Sequence, residues 1–352
     1  MTTDVYRRIL LLRLTSFGDV VRATGFPAAL KKACPRAEIV VVTAHSFAPL
    51  FAAVPGIDRL IGDSGAPRLL GVWREARREL RQLRRDGGFD LAIDLQGTRP
   101  SAAWVYASGA RRMAGRGRWR PGWHLSVAPN YRMSDVAESA EIFERLGIRI
   151  SDPSPVLVSR PADEARLDDL LRDEGLPASG FLVVSPFSRW MSKAWPEERY
   201  ARLLPRLRDE FALSLVVVGS PNEAAMAERL IHRMPPDTAQ SLAGRLTLGE
   251  LVCLLRRARL VLTGDSGPMH AAAAVGTPVV ALFGPSWPER AGPWGHGHRV
   301  LQGWRSSNYH AFRDPESAPG MAAIGVEEVL VAISDQLASA GAGRFLPGNA
   351  AR

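Results

Sequence analysis

The 352-residue chain contains only two cysteines, Cys34 and Cys253, which lie far apart in helix-like segments. No CxxC spacing is present, so we expect two buried free thiols rather than a metal or redox pair. No stretch approaches the roughly 20 apolar residues that a membrane span requires. The segment MTTDVYRR leads directly into a short apolar strand, without the longer apolar run of a secretory signal. We therefore expect a globular protein of the cytoplasm.

Several motifs of common enzyme classes are also missing. The chain has no GxxxxGK followed by Ser or Thr, which argues against a P-loop phosphotransferase. No GxGxxG follows the first strand and no GxSxG occurs, which argues against nicotinamide or flavin enzymes and serine hydrolases. There is no Asp-x-Asp pair, and His296 and His298 lie in a Gly-rich turn without a third ligand nearby. No metal site and no cofactor are expected.

Charge of one sign is in excess, since the formal net charge is +9 at pH 7. This excess favours an anionic partner, whether a nucleotide, a nucleic acid, a phospholipid surface or a phosphorylated glycan. Basic residues concentrate at 74–85, where Leu80 and Leu83 have helical spacing and predict a solvated amphipathic helix. They concentrate again at 110–124, a Gly-rich and Trp-bearing segment that suits either a plain surface loop or an anion-binding loop.

Apolar runs alternate with helix-like segments in each half of the chain, which predicts two doubly wound α/β domains. The expected domains are residues 1–155 and 156–325, followed by a C-terminal helix and tail at 326–352. Residues 149–162 contain three prolines and predict a linker, with a short strand at 155–158. Helices are expected at 20–33, 68–85, 136–147, 197–209, 222–233, 247–257, 268–275 and 325–340, and strands at 7–14, 37–44, 57–61, 89–95, 110–115, 180–187, 213–220, near 241, at 259–264 and at 277–284. Residues 303–323 are expected to be irregular.

Polar turns follow the strands of both halves. Ligands of open parallel sheets bind beyond the carboxyl ends of the strands, so two such domains are expected to face each other across a cleft. The turns concerned are TSFGD (15–19), SPFSRWMSK (185–193), GSPNE (219–223), GDSGPMH (264–270) and GPSWPER (284–290).

The turn GDSGPMH opens the helix expected at 268–275. The free amides at a helix start bind phosphate readily, and Gly267 lets a ligand approach the backbone closely. An ordinary helix cap formed by Asp265 or Ser266 is the alternative interpretation. Lys193 fits a role in neutralising a diphosphate, or is simply solvated. Glu223 fits ribose recognition, or caps the helix that it begins.

Asp19 ends the turn that follows the first strand. A carboxylate there can accept the proton of an attacking hydroxyl, as a general base does, or it can be the first-turn acid of the following helix. Gly18 leaves room for a substrate beside it.

The segments RLTSFGDVVRATGFPAAL, SPFSRWMSKAWPEERYARLL, VVVGSPNEAAMAERL and LAGRLTLGELVCLLRRARLVLTGDSGPMHAAAAVGTPVVALFGPSWPERAGPWG occur in this order. Together they resemble the ADP-heptose:lipopolysaccharide heptosyltransferases of glycosyltransferase family nine, from about residue 7 to 335. The resemblance implies a GT-B fold of two Rossmann-like domains, with the acceptor bound by the first and the nucleotide sugar by the second. It also implies inverting transfer without a metal.

The same resemblance assigns the site residues. Asp19 matches the catalytic base, and Lys193 matches the lysine that binds the diphosphate and stabilises its departure. The expected donor site consists of Ser185, Lys193, Gly219, Glu223, Asp265, Ser266, Gly267, Pro268, Met269 and His270. The expected acceptor site consists of Thr15, Ser16, Gly18, Arg111, Arg112, Arg116, Arg118 and Arg120.

The expected partners are a nucleotide-sugar donor and an anionic, lipid-linked saccharide acceptor at the inner face of the cytoplasmic membrane. We expect a peripherally associated monomer. The alternatives are transfer of another nucleotide-activated sugar to a surface glycan, and an inactive family member that acts as a scaffold. The charge also suggests a nucleic-acid-binding protein, but no interleaved aromatic and basic strands and no helix-turn-helix are evident, so no nucleic-acid partner is expected.

Overall fold

The computed structural model describes residues 6–63, 72–118, 120–314, 316 and 319–341. The chain folds into two compact units that meet in sequence between Val158 and Ser159. Cys34 and Cys253 are buried free thiols, as predicted. None of the described helices is long and apolar enough to cross a membrane.

The first unit contains a six-stranded, wholly parallel sheet in the order 3-2-1-4-5-6. Its central strand reads RILLL, and four of these five residues are fully buried, because helices cover both faces of the sheet. The strands are β1 (Arg8–Leu12), β2 (Glu38–Ala44), β3 (Arg59–Asp63), β4 (Leu91–Asp94), β5 (Arg112–Arg116) and β6 (Leu125–Val127).

The helices of the first unit are α1 (Phe17–Ala23), α2 (Gly25–Ala33), α3 (Ala48–Phe51), α4 (Val72–Arg85), α5 (Arg99–Ser108) and α6 (Asp135–Arg145). The single helix expected at 20–33 is wrong, because α1 and α2 are separated at Thr24. Pro27 is the third residue of α2 and has no N–H with which to continue the ladder of α1. The hydroxyl of Thr24 donates to the carbonyl of Val21 at 2.7 Å.

Helix α4 confirms the amphipathic prediction, since Leu80 and Leu83 are buried in the core of the first unit. The expected start of this helix at residue 68 lies outside the described residues.

The second unit repeats the architecture of the first. Its strands are β7 (Leu182–Ser185), β8 (Leu215–Val217), β9 (Gln240–Ser241), β10 (Leu260–Gly264), β11 (Val279–Phe283) and β12 (Arg299–Gln302). They are all parallel and have the order β12-β11-β10-β7-β8-β9, which is the strand order of the first unit counted from β7. Both halves therefore have the doubly wound, Rossmann-like topology that the sequence predicts.

The helices of the second unit are α7 (Pro161–Asp173), α8 (Glu197–Phe211), α9 (Ala224–His232), α10 (Leu248–Arg257), α11 (Gly267–Ala274), α12 (Pro288–Ala291), α13 (Pro319–Ala322) and α14 (Val326–Gly341). The strand expected at 155–158 is wrong, because the amide of Val156 bonds to the hydroxyl of Thr24 and not to a strand. Among the described residues of 303–323, where irregular structure is expected, the chain forms a 3-10 helix at Tyr309–Arg313 and the short helix α13. Helix α14 packs its apolar face on the core of the second unit.

The strand order reverses direction at one point in each sheet. That point lies between β1 and β4 in the first unit and between β7 and β10 in the second. Connections diverge from these two strands to opposite faces of the sheet, which leaves a crevice at their carboxyl ends. The segments after these four strands are therefore the places to look for a ligand site.

Candidate active site

Asp19 lies in the first turn of α1, directly after the carboxyl end of β1. Ser16 precedes the helix, and both its amide and its hydroxyl donate to Oδ2 of Asp19, at 3.1 and 2.9 Å. Asp19 is thus the first-turn acid that caps α1. Its side chain is 29% exposed, so it caps the helix and still reaches the surface.

Oδ1 of Asp19 belongs to a cluster of six charges, which we call the Asp19 cluster. Arg13 approaches Oδ1 with Nη2 at 3.1 Å, and Arg22 forms a closer ion pair with the same oxygen. Both guanidiniums also face Oδ2 of Asp135, at 3.6 and 3.7 Å. Arg116 joins Asp135 to the fully buried Glu138. Three guanidiniums and three carboxylates therefore balance each other in the interior of the first unit.

The charges of this cluster control the ionisation of its carboxyl groups. Burial raises the pKa of Asp19, but the positive charges of Arg13 and Arg22 outweigh burial and hold that pKa well below its ordinary value of 3.8. The pKa of Asp135 is also lowered, because Arg22, Arg13 and Arg116 together outweigh its burial. Asp19 is therefore a carboxylate at every pH at which the protein is expected to work.

The turn after β4 meets the turn after β1 through Gln96. Oε1 of Gln96 accepts from the amides of Leu14 and Thr15, at 3.2 and 3.0 Å, while Nε2 donates to the hydroxyl of Thr15 at 3.1 Å. Asp94 holds this turn by accepting from the amides of Gln96 and Gly97. Gln96 thereby fixes the backbone that leads to Asp19.

The arginines assigned to the acceptor divide between opposite edges of the sheet. Arg112 is the first residue of β5 and bonds to the hydroxyl of Tyr6, and Arg111 precedes it, so both lie at the amino edge while Asp19 lies at the carboxyl edge. Arg116 lies at the carboxyl end, but it is buried in the Asp19 cluster. Arg111 and Arg112 therefore lie away from Asp19 and Arg116 is buried, and the expected contact of these three with the acceptor stays a prediction.

Arg118 and Arg120 follow β5 on the edge where Asp19 lies. Arg118 is exposed. Arg120 donates to the carbonyls of Gly97 and Thr98 and stacks on Trp123, with 5.3 Å from its guanidinium carbon to the ring centroid. Arg120 is thereby held at the turn after β4, and contact of either arginine with the acceptor stays a prediction.

In the second unit, Lys193 and Asp265 form an ion pair at the switch point. Nζ of Lys193 lies 2.6 Å from Oδ2 of Asp265, and both side chains are nearly buried. Burial raises the pKa of Asp265, but the ammonium of Lys193, with the Ser286 hydroxyl and His270, outweighs it and lowers the pKa. Lys193 and Asp265 are considered separately at the level of sequence, whereas the structure shows that they form an ion pair.

Close backbone packing brings Lys193 to this position. Lys193 ends a short 3-10 helix, Met191–Lys193, that lies across the ends of β10 and β11. A Cβ on Gly264 would lie only 2.9 Å from the carbonyl oxygen of Lys193, so only glycine permits the approach. On its other side, the ammonium lies 4.1 Å from the ring centroid of Phe312, a favourable cation–π distance.

Helix α11 begins beside this pair, with Ser266 as its N-cap residue in extended conformation. The hydroxyl of Ser266 lies 3.0 Å from that of Thr263 and does not cap the helix. In an α-helix the first-turn amides have no acceptor within the helix, so those of Gly267 and Met269 can bind an anion. Pro268 has no N–H to donate. Met269 offers only its backbone amide, because its thioether carries no donor and its side chain is fully buried. His270 is also nearly buried.

Known proteins resemble this chain over most of its length. The family model described as glycosyltransferase family 9 (heptosyltransferase) matches residues 76–321. The chain belongs to glycosyltransferase family 9. Lipopolysaccharide heptosyltransferase 2 of Escherichia coli strain K12 is 26% identical to it over 331 residues, which covers 89% of this chain and 92% of that protein. This family 9 member is therefore a glycosyltransferase, and the expected family is confirmed.

Solved structures confirm the GT-B fold of this glycosyltransferase. A family 9 glycosyltransferase from Veillonella parvula has a TM-score of 0.83 and 23% identity, and covers 96% of this chain and 99% of its own. The ADP-heptose lipopolysaccharide heptosyltransferase II of E. coli has a TM-score of 0.75 and 21% identity, and covers 95% and 99%. At these identities the likeness concerns the fold alone.

The other residues that are expected to bind the donor lie at and after the carboxyl ends of β7 and β8. Ser185 is the buried last residue of β7. Oε2 of Glu223 accepts from the amide of Ser220 at 2.6 Å, so Glu223 caps the 3-10 helix Pro221–Glu223, and it is also the N-cap residue of α9. A Cβ on Gly219 would lie 3.2 Å from both Glu223 and Phe187. Contact with a ribose stays a prediction for Glu223.

Sequence reasoning missed the residues that surround Asp19 at the switch point of the first unit. Arg13 ends an otherwise apolar run, and a buried charge needs a partner of opposite sign, but no local pattern marks Asp19 or Asp135 as the partner of Arg13. Gln96 was also missed, but it directly follows the strand expected at 89–95. The rule that polar turns after parallel strands mark a ligand site would have found it. Within the described residues, no group of three or more His, Cys, Asp and Glu side chains is arranged to hold a metal ion.

Proposed function

We propose that this family 9 member transfers a heptose from ADP-heptose to the core saccharide of a lipopolysaccharide, with inversion at the anomeric carbon and without a metal ion. The observation that carries the proposal is the set of charged groups at the switch point of each unit. The first unit presents an ionised carboxylate, Asp19, and the second presents an ammonium, Lys193, beside the amides that begin α11. Lipopolysaccharide heptosyltransferase 2 of E. coli, similar over 89% of the chain, supports the choice of sugar and acceptor.

On the donor side, the bond from the anomeric carbon to the diphosphate oxygen breaks, and its electron pair remains on the diphosphate. The extra negative charge is stabilised by Lys193 and by the amides of Gly267 and Met269. Asp265 fixes the direction of the Lys193 ammonium through its 2.6 Å ion pair. These groups supply positive charge at the leaving group, which is the reason that we propose a reaction without a metal ion.

On the acceptor side, a hydroxyl oxygen forms the new bond to the anomeric carbon from the face opposite the diphosphate. The proton of that hydroxyl passes to the carboxylate of Asp19 and from there to water. Because the hydroxyl attacks opposite the departing diphosphate in a single displacement, the configuration of the anomeric carbon inverts. The reaction requires that the hydroxyl held by the first unit reach the sugar held by the second.

The acceptor is lipid-linked in this proposal, so the protein works at the inner face of the cytoplasmic membrane. Arg118 and Arg120 follow β5 on the Asp19 edge and are the proposed contacts for the phosphates or carboxylates of the acceptor. Thr15, Ser16 and Gly18 surround Asp19 and complete the proposed acceptor site.

The test is a comparison of donors followed by analysis of the product. We expect ADP-heptose to raise the melting temperature of the full chain more than GDP-sugars and UDP-sugars do, because bound ligand stabilises the native state. Incubation with ADP-heptose and heptose-deficient lipopolysaccharide is expected to add one heptose mass in the anomeric configuration opposite to the donor's. Stabilisation by another nucleotide sugar, or retention of configuration, would contradict the proposal.

Reversal of one charge tests the acceptor contact. Arg118→Glu is expected to raise the KM for the lipopolysaccharide acceptor about tenfold, since loss of one charge-assisted contact is worth about 1.4 kcal/mol or more. The KM for the donor is expected to stay unchanged. Arg111→Glu is the matched control, because Arg111 is 79% exposed but lies at the opposite edge of the sheet. Equal effects of the two substitutions on the acceptor KM would argue against a local contact at Arg118.

A further inference from the structure

The Asp19 cluster contains more charge than the cap of α1 requires. Ser16 already satisfies Oδ2 of Asp19, and the helix needs nothing further from this side chain. Yet Arg13 and Arg22 both converge on Oδ1, and Asp135 faces both of them. Buried ion pairs are weak contributors to stability compared with well-packed apolar groups, so stability alone does not explain this arrangement.

Exposure distinguishes Asp19 from the other members of the cluster. Its side chain is 29% exposed, while the side chains of the other five are between 0 and 11% exposed. A substrate that approaches the cluster therefore meets Asp19 first. The members behind it come from separate elements: Arg13 follows β1, Arg22 lies in α1, Arg116 ends β5, and Asp135 and Glu138 lie in α6.

We propose that Arg13 and Arg22 are positioning residues for the transfer reaction, which together with Asp135 hold Asp19 as an ionised, fixed carboxylate at the accessible end of the cluster. The inference rests on the proposed function, since that function makes Asp19 the base. Arg13 and Arg22 bind Oδ1 while Ser16 binds Oδ2, so the two oxygens are held by different groups and the plane of the carboxylate is fixed. Asp135 shares the two guanidiniums and keeps the cluster neutral.

Charge balance also explains how such a base works. As the new bond to the anomeric carbon forms, the acceptor hydroxyl becomes far more acidic than a free alcohol, so a weakly basic carboxylate is sufficient to take its proton. Protonated Asp19 leaves three guanidiniums facing two carboxylates. This excess positive charge drives the proton from Asp19 to water and restores the base for the next turnover.

The first experiment observes Asp19 directly in the full-length, substrate-free protein. Aspartate labelled with ¹³C at the carboxyl carbon is titrated by NMR, and the Asp19 signal is assigned by its loss in Asp19→Asn. In the wild type we expect this signal to stay ionised down to the acid limit of the folded protein. In Arg22→Gln it is expected to titrate at a clearly higher pH than in the wild type, because only Arg13 and the hydrogen bond from Ser16 then oppose burial and Asp135. An unchanged titration in Arg22→Gln would overturn the proposal.

The second experiment links this ionisation to the reaction. The kcat of Arg22→Gln is expected to fall towards acid pH as a one-proton step with the midpoint seen by NMR, while the donor KM stays unchanged. The wild-type kcat is expected to show no such step. Arg22→Lys keeps the charge and is expected to restore the wild-type profile. A kcat that does not follow the NMR titration would overturn the proposal.

Two further variants separate this role from a structural one. Arg22→Gln/Asp135→Asn loses one charge of each sign, so it keeps the cluster neutral and is expected to reverse part of the Arg22→Gln shift. Arg145→Gln removes an exposed ion pair of α6 with Glu141 and is expected to change neither readout. Loss of activity in Asp19→Asn with a flat profile in Arg22→Gln would overturn only this inference. Full activity of Asp19→Asn would overturn the proposed base as well.

Discussion

Asp19→Asn is expected to lower kcat about 100-fold or more, because a positioned general base contributes about 10²- to 10⁴-fold to a rate. The affinity for the nucleotide sugar is expected to stay near that of the wild type, since Asp19 belongs to the first unit and the proposed donor residues to the second. Steady-state kinetics and calorimetric titration with ADP measure the two effects separately.

Asparagine is the appropriate substitution at this position because it keeps the cap of α1. Its amide oxygen can still accept from Ser16, whereas alanine would also remove the capping-box contacts between Asp19 and Ser16. Asp169→Asn is the matched control, since Asp169 is an ion-paired but exposed aspartate of α7. Equal turnover of Asp19→Asn and Asp169→Asn would remove Asp19 from the catalytic role.

Lys193→Ala is expected to lower kcat about 100- to 1,000-fold, a range typical for loss of one group that stabilises developing charge. The ion pair adds a second effect, because the substitution leaves Asp265 buried without its ammonium. We expect the free energy of unfolding to decrease by about 3 kcal/mol, as is common when one partner of a buried pair is removed. Kinetics and denaturant unfolding measure the two effects.

A double variant separates catalysis from stability at this pair. Lys193→Ala/Asp265→Asn removes both charges, so most of the lost stability is expected to return while the turnover stays low. Asp265→Asn alone is the reference, and Lys31→Ala removes the lysine of a comparable but more exposed pair with Asp58. If the double variant folds like the wild type and turns over as fast as Asp265→Asn, Lys193 does not act on the leaving group.

Most strands and helices of this fold can be predicted from the sequence, because each depends on a short, contiguous pattern of residues. Runs such as RILLL and EIVVVTA predict buried parallel strands, and the polar turns after them mark the carboxyl ends where ligands bind. The same rule places Asp19, Lys193 and Asp265 at the switch points. Local signals also fail in identifiable ways: the strand expected at 155–158 does not form, and the short strands β6 and β12 were not predicted.

What the sequence does not reveal is which charges meet. The pairing of Lys193 with Asp265 joins residues 72 positions apart, and that of Arg22 with Asp135 joins residues 113 apart. No periodicity connects such distant residues, because only the folded backbone brings them together. The basic segment at 110–124 shows the same limit, since Arg112 and Arg116 belong to one short strand but lie at opposite edges of the sheet.

The shared strand order has a consequence for how this enzyme diverges. In each unit the strand that delivers the proposed reacting groups is an inner one, β1 or β7, with two further strands outside it on one side and three on the other. Mutations and insertions in the outlying strands and their loops can therefore reshape the recognition of sugar or acceptor while the inner strand keeps its register. Such a layout allows new substrate preferences to evolve around unchanged chemistry.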